Sequence, residues 1–219
     1  MEVKLLSYTP NPELIADTAS SVCVGKEPDG KSLQHALKSG HESVLEHISF
    51  TFQISGISRA CSHQLVRHRL ASYSQQSQRY VGISSRDSFE YVVPESISAN
   101  QEACKEYERL MSIISEVYGR FVDCYKIPQE DARYLLPNAC TTELVMTMNA
   151  RELRHFFNLR CCNRAQWEIR ELAYMMLALC KDVAPTIFND AGPSCNIYGF
   201  CPESKSCGRY PKLKDWQKI

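Results

Sequence analysis

Arg67-His68-Arg69-Leu70-Ala71-Ser72-Tyr73-Ser74-Gln75-Gln76-Ser77-Gln78-Arg79-Tyr80 packs three arginines, a histidine, three serines and three glutamines into one stretch without an acid. The acid-free window is wider still. No Asp or Glu lies between His47 and Arg86, a span that holds five arginines (Arg59, Arg67, Arg69, Arg79, Arg86) and three histidines. The chain has 25 basic and 25 acidic residues in all, so the stretch marks a local electropositive site in a neutral protein. Arginine forks and serine hydroxyls suit phosphate oxygens, and clustered arginines without counter-charges are costly to hold unless an anion arrives. The expected ligand is small and phosphorylated; the alternative is a solvated basic surface.

Immediately upstream, Ile48 to Ile54 alternates apolar and polar residues, the period of a half-buried strand, and Ser58 to His68 has helical spacing. A regular helix would fan Arg67, His68 and Arg69 about 100° apart, so the motif is expected to leave the helix and wrap. Farther upstream the pattern predicts a strand over Glu2 to Tyr8 and a helix from Asn11-Pro12 to about Val24. A second helix, Ser32 to Lys38, is stopped by Gly40, and a polar turn follows from His41 to His47. Downstream it predicts a short strand at Glu90 to Pro94 and a long helix from Ser96 to about Tyr125, with Leu110, Ile113, Ile114, Val117, Tyr118 and Phe121 as its apolar face. Then come a helix at Gln129 to Leu136, a strand at Thr141 to Asn149, and helices from Asn149 or Ala150 to Leu159 and from Ala165 to Asp182. The mixture predicts an α/β (mixed α+β) fold: a central, mostly antiparallel sheet with flanking helices. From Asp190 the composition shifts to Gly, Pro, Ser and Cys, so residues 1–190 are expected to form one domain and 191–219 an irregular cysteine-containing tail.

A chain of 219 residues can bury a proper core. Balanced charge argues against bulk nucleic acid or an anionic membrane as the main partner. The longest apolar run, Leu172 to Cys180, is too short to span a bilayer, and Met1-Glu2-Val3-Lys4 lacks the layout of a signal peptide. Eleven cysteines, an odd number scattered from Cys23 to Cys207, read as reduced thiols in a reducing compartment, so the cytoplasm is expected.

Three other clusters carry candidate chemistry. Asn149 to Arg160 places Arg151 and His155 on one helix face; the alternative is a surface helix whose arginines pair with Glu152 and Glu168. His41, Glu42, Glu46 and His47 suggest a metal, but the five-residue gap between the histidines fits no helical ligand pair, and a polar, cofactor-contacting turn is preferred. Cys195, Cys201 and Cys207, evenly spaced and flanked by Gly and Pro, could hold zinc or an iron-sulfur cluster. Three thiolates leave tetrahedral zinc one ligand short, so structural thiols are preferred. No glycine-rich dinucleotide fingerprint or P-loop occurs, and no Ser-His-Asp or Cys-His pair can be assembled.

Arg67-His68-Arg69, seven residues, then Ser77 resembles the signature of the flavin-dependent thymidylate synthases. The likeness extends to His41-Glu42-Ser43 with Glu46-His47, Ser77-Gln78-Arg79-Tyr80, Ala132-Arg133 with Leu136-Pro137, Asn149-Ala150-Arg151, Phe157-Asn158-Leu159-Arg160 and Ala165-Gln166-Trp167-Glu168. The resemblance implies an enzyme that makes dTMP from dUMP, with methylenetetrahydrofolate as carbon donor and NADPH as the hydride source through FAD. It implies a homotetramer of mixed α/β subunits with active sites between subunits, no catalytic metal, and no protein nucleophile, so no cysteine is assigned to catalysis.

Carried over by motif, Ser43, Arg67, His68, Arg69, Gln75, Asn149, Arg151 and His155 are expected at FAD. Gln64, Leu65, Val66, Arg67, Gln75, Gln76, Ser77, Gln78, Arg79, Arg133 and Arg160 are expected at dUMP, with Arg160 polarising the uracil ring. Ser74-Gln75 stands where some relatives have Asn-Glu, and His155 where some have Asn. A fixed guanidinium is a permanently charged donor and suits a ring that must carry negative charge during transfer. A nucleic-acid-binding module with a zinc-bound tail is the rival reading, opposed by the neutral charge and the absence of Lys from the basic stretch.

Overall fold

The computed structural model describes residues 1–81 and 88–216, so Arg86 lies outside the described residues. In chain order the elements are β1 (Glu2–Tyr8), α1 (Pro12–Cys23), α2 (Ser32–Lys38), a 3-10 turn (Glu42–His47), β2 (Ser49–Ser58), α3 (Arg59–Leu65) and β3 (Ala71–Gln75). These are followed by α4 (Glu95–Ser98), α5 (Gln101–Gly119), a π turn (Arg120–Cys124), α6 (Gln129–Ala132), a 3-10 turn (Arg133–Leu135), β4 (Thr141–Asn149), α7 (Ala150–Arg160) and α8 (Trp167–Val183). Three short helices end the chain: α9 (Pro185–Phe188), α10 (Ser194–Tyr198) and α11 (Leu213–Trp216).

One sheet runs in the order β1-β2-β4-β3 and is antiparallel. Its register shows in the pairings: Ala150 N donates to Ile48 O at 2.8 Å and Arg59 N to Cys140 O at 2.9 Å, so β2 ascends where β4 descends. β2 turns Phe50, Phe52 and Ile54 inward, and β4 turns Thr142, Leu144, Met146 and Met148 inward, as their alternation predicts. The mixed α+β expectation holds.

Several boundaries move, each for a local reason. β2 continues four residues past Ile54 because Gly56 adopts φ +70°, which shifts the inward phase from Ile54 to Ile57 without ending the strand. A Cβ on Gly56 would stand 3.2 Å from the Met1 backbone nitrogen, so the close approach also requires glycine. The motif does leave its helix at Leu65, but it then forms β3, which the wrapping expectation missed. Glu90 to Pro94 is not a strand; only an isolated bridge joins Tyr91 to Cys140. The long helix is broken at Asn100, whose extended backbone and side chain cap the amides of Glu102 and Ala103 and so start α5 afresh. On α5, Leu110 and Ile113 are exposed while Met111 and Tyr118 are buried, a correction to the predicted apolar face.

The chain divides into two compact units. The first comprises residues 1–2, 54–64 and 74–144, and the second residues 3–53, 65–73 and 145–219. In the first, Phe89, Met111 and Cys140 form a core joined by Tyr91, Tyr107, Ile114 and Leu136. In the second, aromatic rings meet edge to face: Phe188 lies 5.4 Å from Phe50 and 6.0 Å from Phe157, and Phe156 lies 5.6 Å from Phe157. The opening motif is shared by chain membership, with Arg67–Tyr73 in the second unit and Ser74–Tyr80 in the first.

Candidate active site

In the second unit the site is built on α7. Asn149 ends β4 and caps the helix, its Oδ1 accepting from Glu152 N at 2.8 Å, so the strand-to-helix turn fixes everything downstream. Leu153, Phe156 and Phe157 face the core, leaving Arg151 and His155 exposed on the opposite side. With Glu42, Glu46, Leu70, Asn149, Glu152 and Asn158 they line a cavity of about 590 Å³. The surface-helix alternative had Glu152 and Glu168 pairing the arginines, but Arg151 and Arg154 find their carboxylates on other elements. Arg151 instead binds the Glu46 carboxylate, and buried Arg154 holds Glu42 at 2.9 Å, Asp190 at 2.7 Å and the Ile187 carbonyl. Burial works against the Arg154 charge, and the Asp190 and Glu42 carboxylates more than restore it, holding the guanidinium above its usual value. The Glu42–His47 turn is thus a polar turn whose carboxylates serve arginines.

His68 is 6% exposed and engages protein partners with both ring nitrogens. Nδ1 lies 3.2 Å from Glu152 Oε1, and Nε2 accepts from Arg160 Nε at 3.1 Å. The ring stands edge-on to Phe156 at 4.9 Å. Burial pushes the His68 pKa down, Glu152 pulls it up, and Arg160 and His155 push it down again, with a net lowering. A ring nitrogen of each histidine and a Glu152 oxygen lie within 4.8 Å of one another. With both His68 nitrogens engaged and Arg160 beside it, this group works as a hydrogen-bond relay. Tyr73 closes the turn below by donating to the carbonyls of His68 (2.8 Å) and Leu65 (3.0 Å). Burial pushes its hydroxyl pKa up, so the donor persists at every physiological pH.

In the first unit, Gln75 Nε2 donates to Ser62 Oγ at 2.9 Å and Thr142 Oγ1 at 3.1 Å, leaving its carbonyl as an acceptor. Arg59 Nη2 donates to Gln78 Oε1 at 3.2 Å, Ser77 Oγ accepts from Arg79 N at 3.2 Å, and Arg133 Nε donates to the Glu130 carbonyl at 3.0 Å. Arg79 carries a counter-charge after all: its guanidinium grips Glu130 at 2.9 Å, a partner 51 residues away that local sequence could not show. Burial, and then the neighbouring Arg133 charge, push Arg59 below its usual pKa. Arg79 and Arg133 therefore meet at Glu130, with Arg59 close enough to feel the Arg133 charge, and such a gathering of guanidiniums suits an anion.

A family profile described as thymidylate synthase complementing protein, Thy1, matches residues 4–186. The chain belongs to the Thy1 family. The flavin-dependent thymidylate synthase of Geobacter sulfurreducens is 51% identical over 98% of this chain and 97% of its own length. That of Clostridium tetani is 44% identical over 98% and 96%. A crystal structure of the Helicobacter pylori flavin-dependent thymidylate synthase complexed with FAD and dUMP superposes with a TM-score of 0.68 at 28% identity, covering 88% of this chain and all of that one.

Within this Thy1 chain the expected residues fall into distinct settings. Asn149, Arg151 and His155 share the 590 Å³ cavity. Ser43 lines a different one, of about 500 Å³, with Lys26, Lys31, His35 and His41. Leu65 is wholly buried, so it can offer a ligand only backbone, whereas Gln64 and Val66 are half-buried and Arg67, Arg69 and Gln76 exposed. Arg160 also lines a third cavity, of about 290 Å³, with Asn158, Arg164 and the thiol-bearing Cys162, Cys195 and Cys201. No three of these thiols come within 4.8 Å of one another among the described residues. Sequence reasoning missed Glu152 as a site member and Glu130 as a partner; Arg59 had a signal in the acid-free window.

Proposed function

We propose that this Thy1 chain performs the reductive methylation of dUMP to dTMP, with methylenetetrahydrofolate as carbon donor and NADPH as reductant. The carrying observation is Arg160, a permanently charged donor held at its Nε by a buried histidine. FAD fits the residues present: the α7 cavity has the volume of a ligand pocket and is bordered by Arg151 and His155 as donors. Asn158, on the same wall, has a buried Oδ1 with no hydrogen-bond partner among the described residues, an acceptor suited to a ring N–H.

When bound, FAD supplies the hydride chemistry; the chain's own residues bind and polarise. Asn149, Arg151 and His155 hold the cofactor, with Ser43, Arg67, His68, Arg69 and Gln75 as further members of that set. Arg79, Arg133 and the Ser77 hydroxyl receive the dUMP phosphate, with Gln64, the Leu65 and Val66 backbone, Arg67, Gln75, Gln76 and Gln78 around the nucleotide. Arg160 stabilises negative charge on the pyrimidine as the new bond forms. The family's tetramer, with sites shared between subunits, and a cytoplasmic location in keeping with eleven free thiols belong to the same reading. The family match covers residues 4–186, in keeping with residues 1–190 as the synthase domain and 191–219 as a cysteine-containing C-terminal tail.

Arg160→Ala is expected to keep its flavin absorbance and lose dTMP formation by two to three orders of magnitude, about the loss typical of removing one transition-state donor. Near-full turnover in that variant, assayed anaerobically with all substrates, sinks the role given to Arg160.

A further inference from the structure

We infer that Glu152 is a positioning residue for the reaction: its carboxylate selects the His68 tautomer that aims the Arg160 guanidinium. Arginine has donors and no acceptor, so the 3.1 Å contact from Arg160 Nε requires a lone pair on His68 Nε2. The neutral ring then carries its proton on Nδ1, where Glu152 Oε1 accepts it at 3.2 Å. Remove that acceptor and the proton is free to move to Nε2, where it would confront the Arg160 Nε–H and turn the guanidinium away. The arrangement is fixed on every side. His68 is held edge-on by Phe156, its carbonyl receives the Tyr73 hydroxyl, and Glu152 is set by the Asn149 cap through its backbone amide. Because the cap uses the Glu152 backbone, changing its side chain leaves the helix start intact.

The neighbouring His155 ring, 6.1 Å from that of His68, faces the cavity and offers no second acceptor in place of Glu152 in the contacts observed. Each member of the relay thus has a distinct task. Glu152 sets a proton, His68 converts that proton's place into an acceptor, and Arg160 meets the substrate.

The inference rests on the role proposed for Arg160, and the test separates the two. Flavin-loaded protein with 15N-labelled histidine, assigned against His68→Gln, is expected to show His68 with Nδ1 protonated and Nε2 bare at neutral pH. Glu152→Leu is expected to move the proton to Nε2 and lower kcat by about 10–100-fold, the usual range for loss of an orienting partner, with the dUMP KM much less affected. Glu152→Gln retains a carbonyl acceptor and is expected to restore both the tautomer and most of the turnover. An Nε2-protonated ring in the wild type overturns the inference, as does Glu152→Leu turning over within about twofold of wild type while Arg160→Ala is inactive. If Arg160→Ala is itself active, the proposed role of Arg160 falls, and the tautomer readings still decide whether Glu152 sets His68.

Discussion

His68 is a titratable ring enclosed by α7 and the turn before β3, and its protonation links the site to stability. It faces Glu152, Arg160 and His155 from α7, while Tyr73 bonds its carbonyl. Its folded pKa lies below the ordinary value of 6.5, chiefly because burial disfavours the charged ring. The unfolded chain therefore binds the proton first as pH falls. The His68 contribution is fully present above about pH 6.5 and is lost progressively as acid carries the protein through the lower folded value. Urea titrations of the wild type and His68→Gln from pH 7.5 to 5 should show the wild type losing more stability, and parallel curves would remove His68 as the cause. Sequence named His68, Arg151 and Arg160 and missed Glu152, because a buried carboxylate on a helix looks in sequence like a surface partner for the arginines beside it. The Arg79 to Glu130 pair was hidden for a simpler reason: the two lie 51 positions apart in the chain.

Among the elements, β2 shows how one residue reshapes a reading. Strict alternation from Ile48 stops at Ile54, and the helical spacing after Ser58 invites a break between them, yet the strand continues through Gly56. Gly56→Ala would force an L-residue to φ +70° and press a methyl group to 3.2 Å from the Met1 nitrogen. The conformation alone costs about 1–2 kcal/mol, and the contact adds to it. A loss of about 2 kcal/mol or more in denaturant midpoints is expected, and an unchanged midpoint would contradict the strain. β1, α1, α2, β4 and α7 were legible because each announces itself by period or cap. The break at Asn100 was not, since a capping asparagine inside a helical period is indistinguishable from a polar surface position until the backbone is seen.

At the scale of the whole molecule, eleven free thiols map burial as a chemical pattern. Cys23, Cys124 and Cys207 are exposed, whereas Cys61, Cys140, Cys161, Cys180, Cys195 and Cys201 are buried, and burial pushes Cys140 and Cys161 up to about 12. Brief alkylation of the native protein, read by mass spectrometry, should label the three exposed thiols first and leave Cys140 and Cys161 unmodified until the protein unfolds. Rapid labelling of Cys161 would show that it is reachable and reactive, reopening a nucleophilic role. The same scale reveals a contrast in charge. A chain with equal acids and bases should pass an ion exchanger near pH 7 almost unretained. The gathering of Arg59, Arg79 and Arg133 about Glu130 nevertheless meets a small multivalent anion as a concentrated cation. With the dUMP phosphate received there as proposed, sulfate and phosphate, innocuous to the bulk protein, are expected to compete, and an assay run in phosphate buffer should report a weaker grip on the nucleotide than one run in a zwitterionic buffer of equal ionic strength.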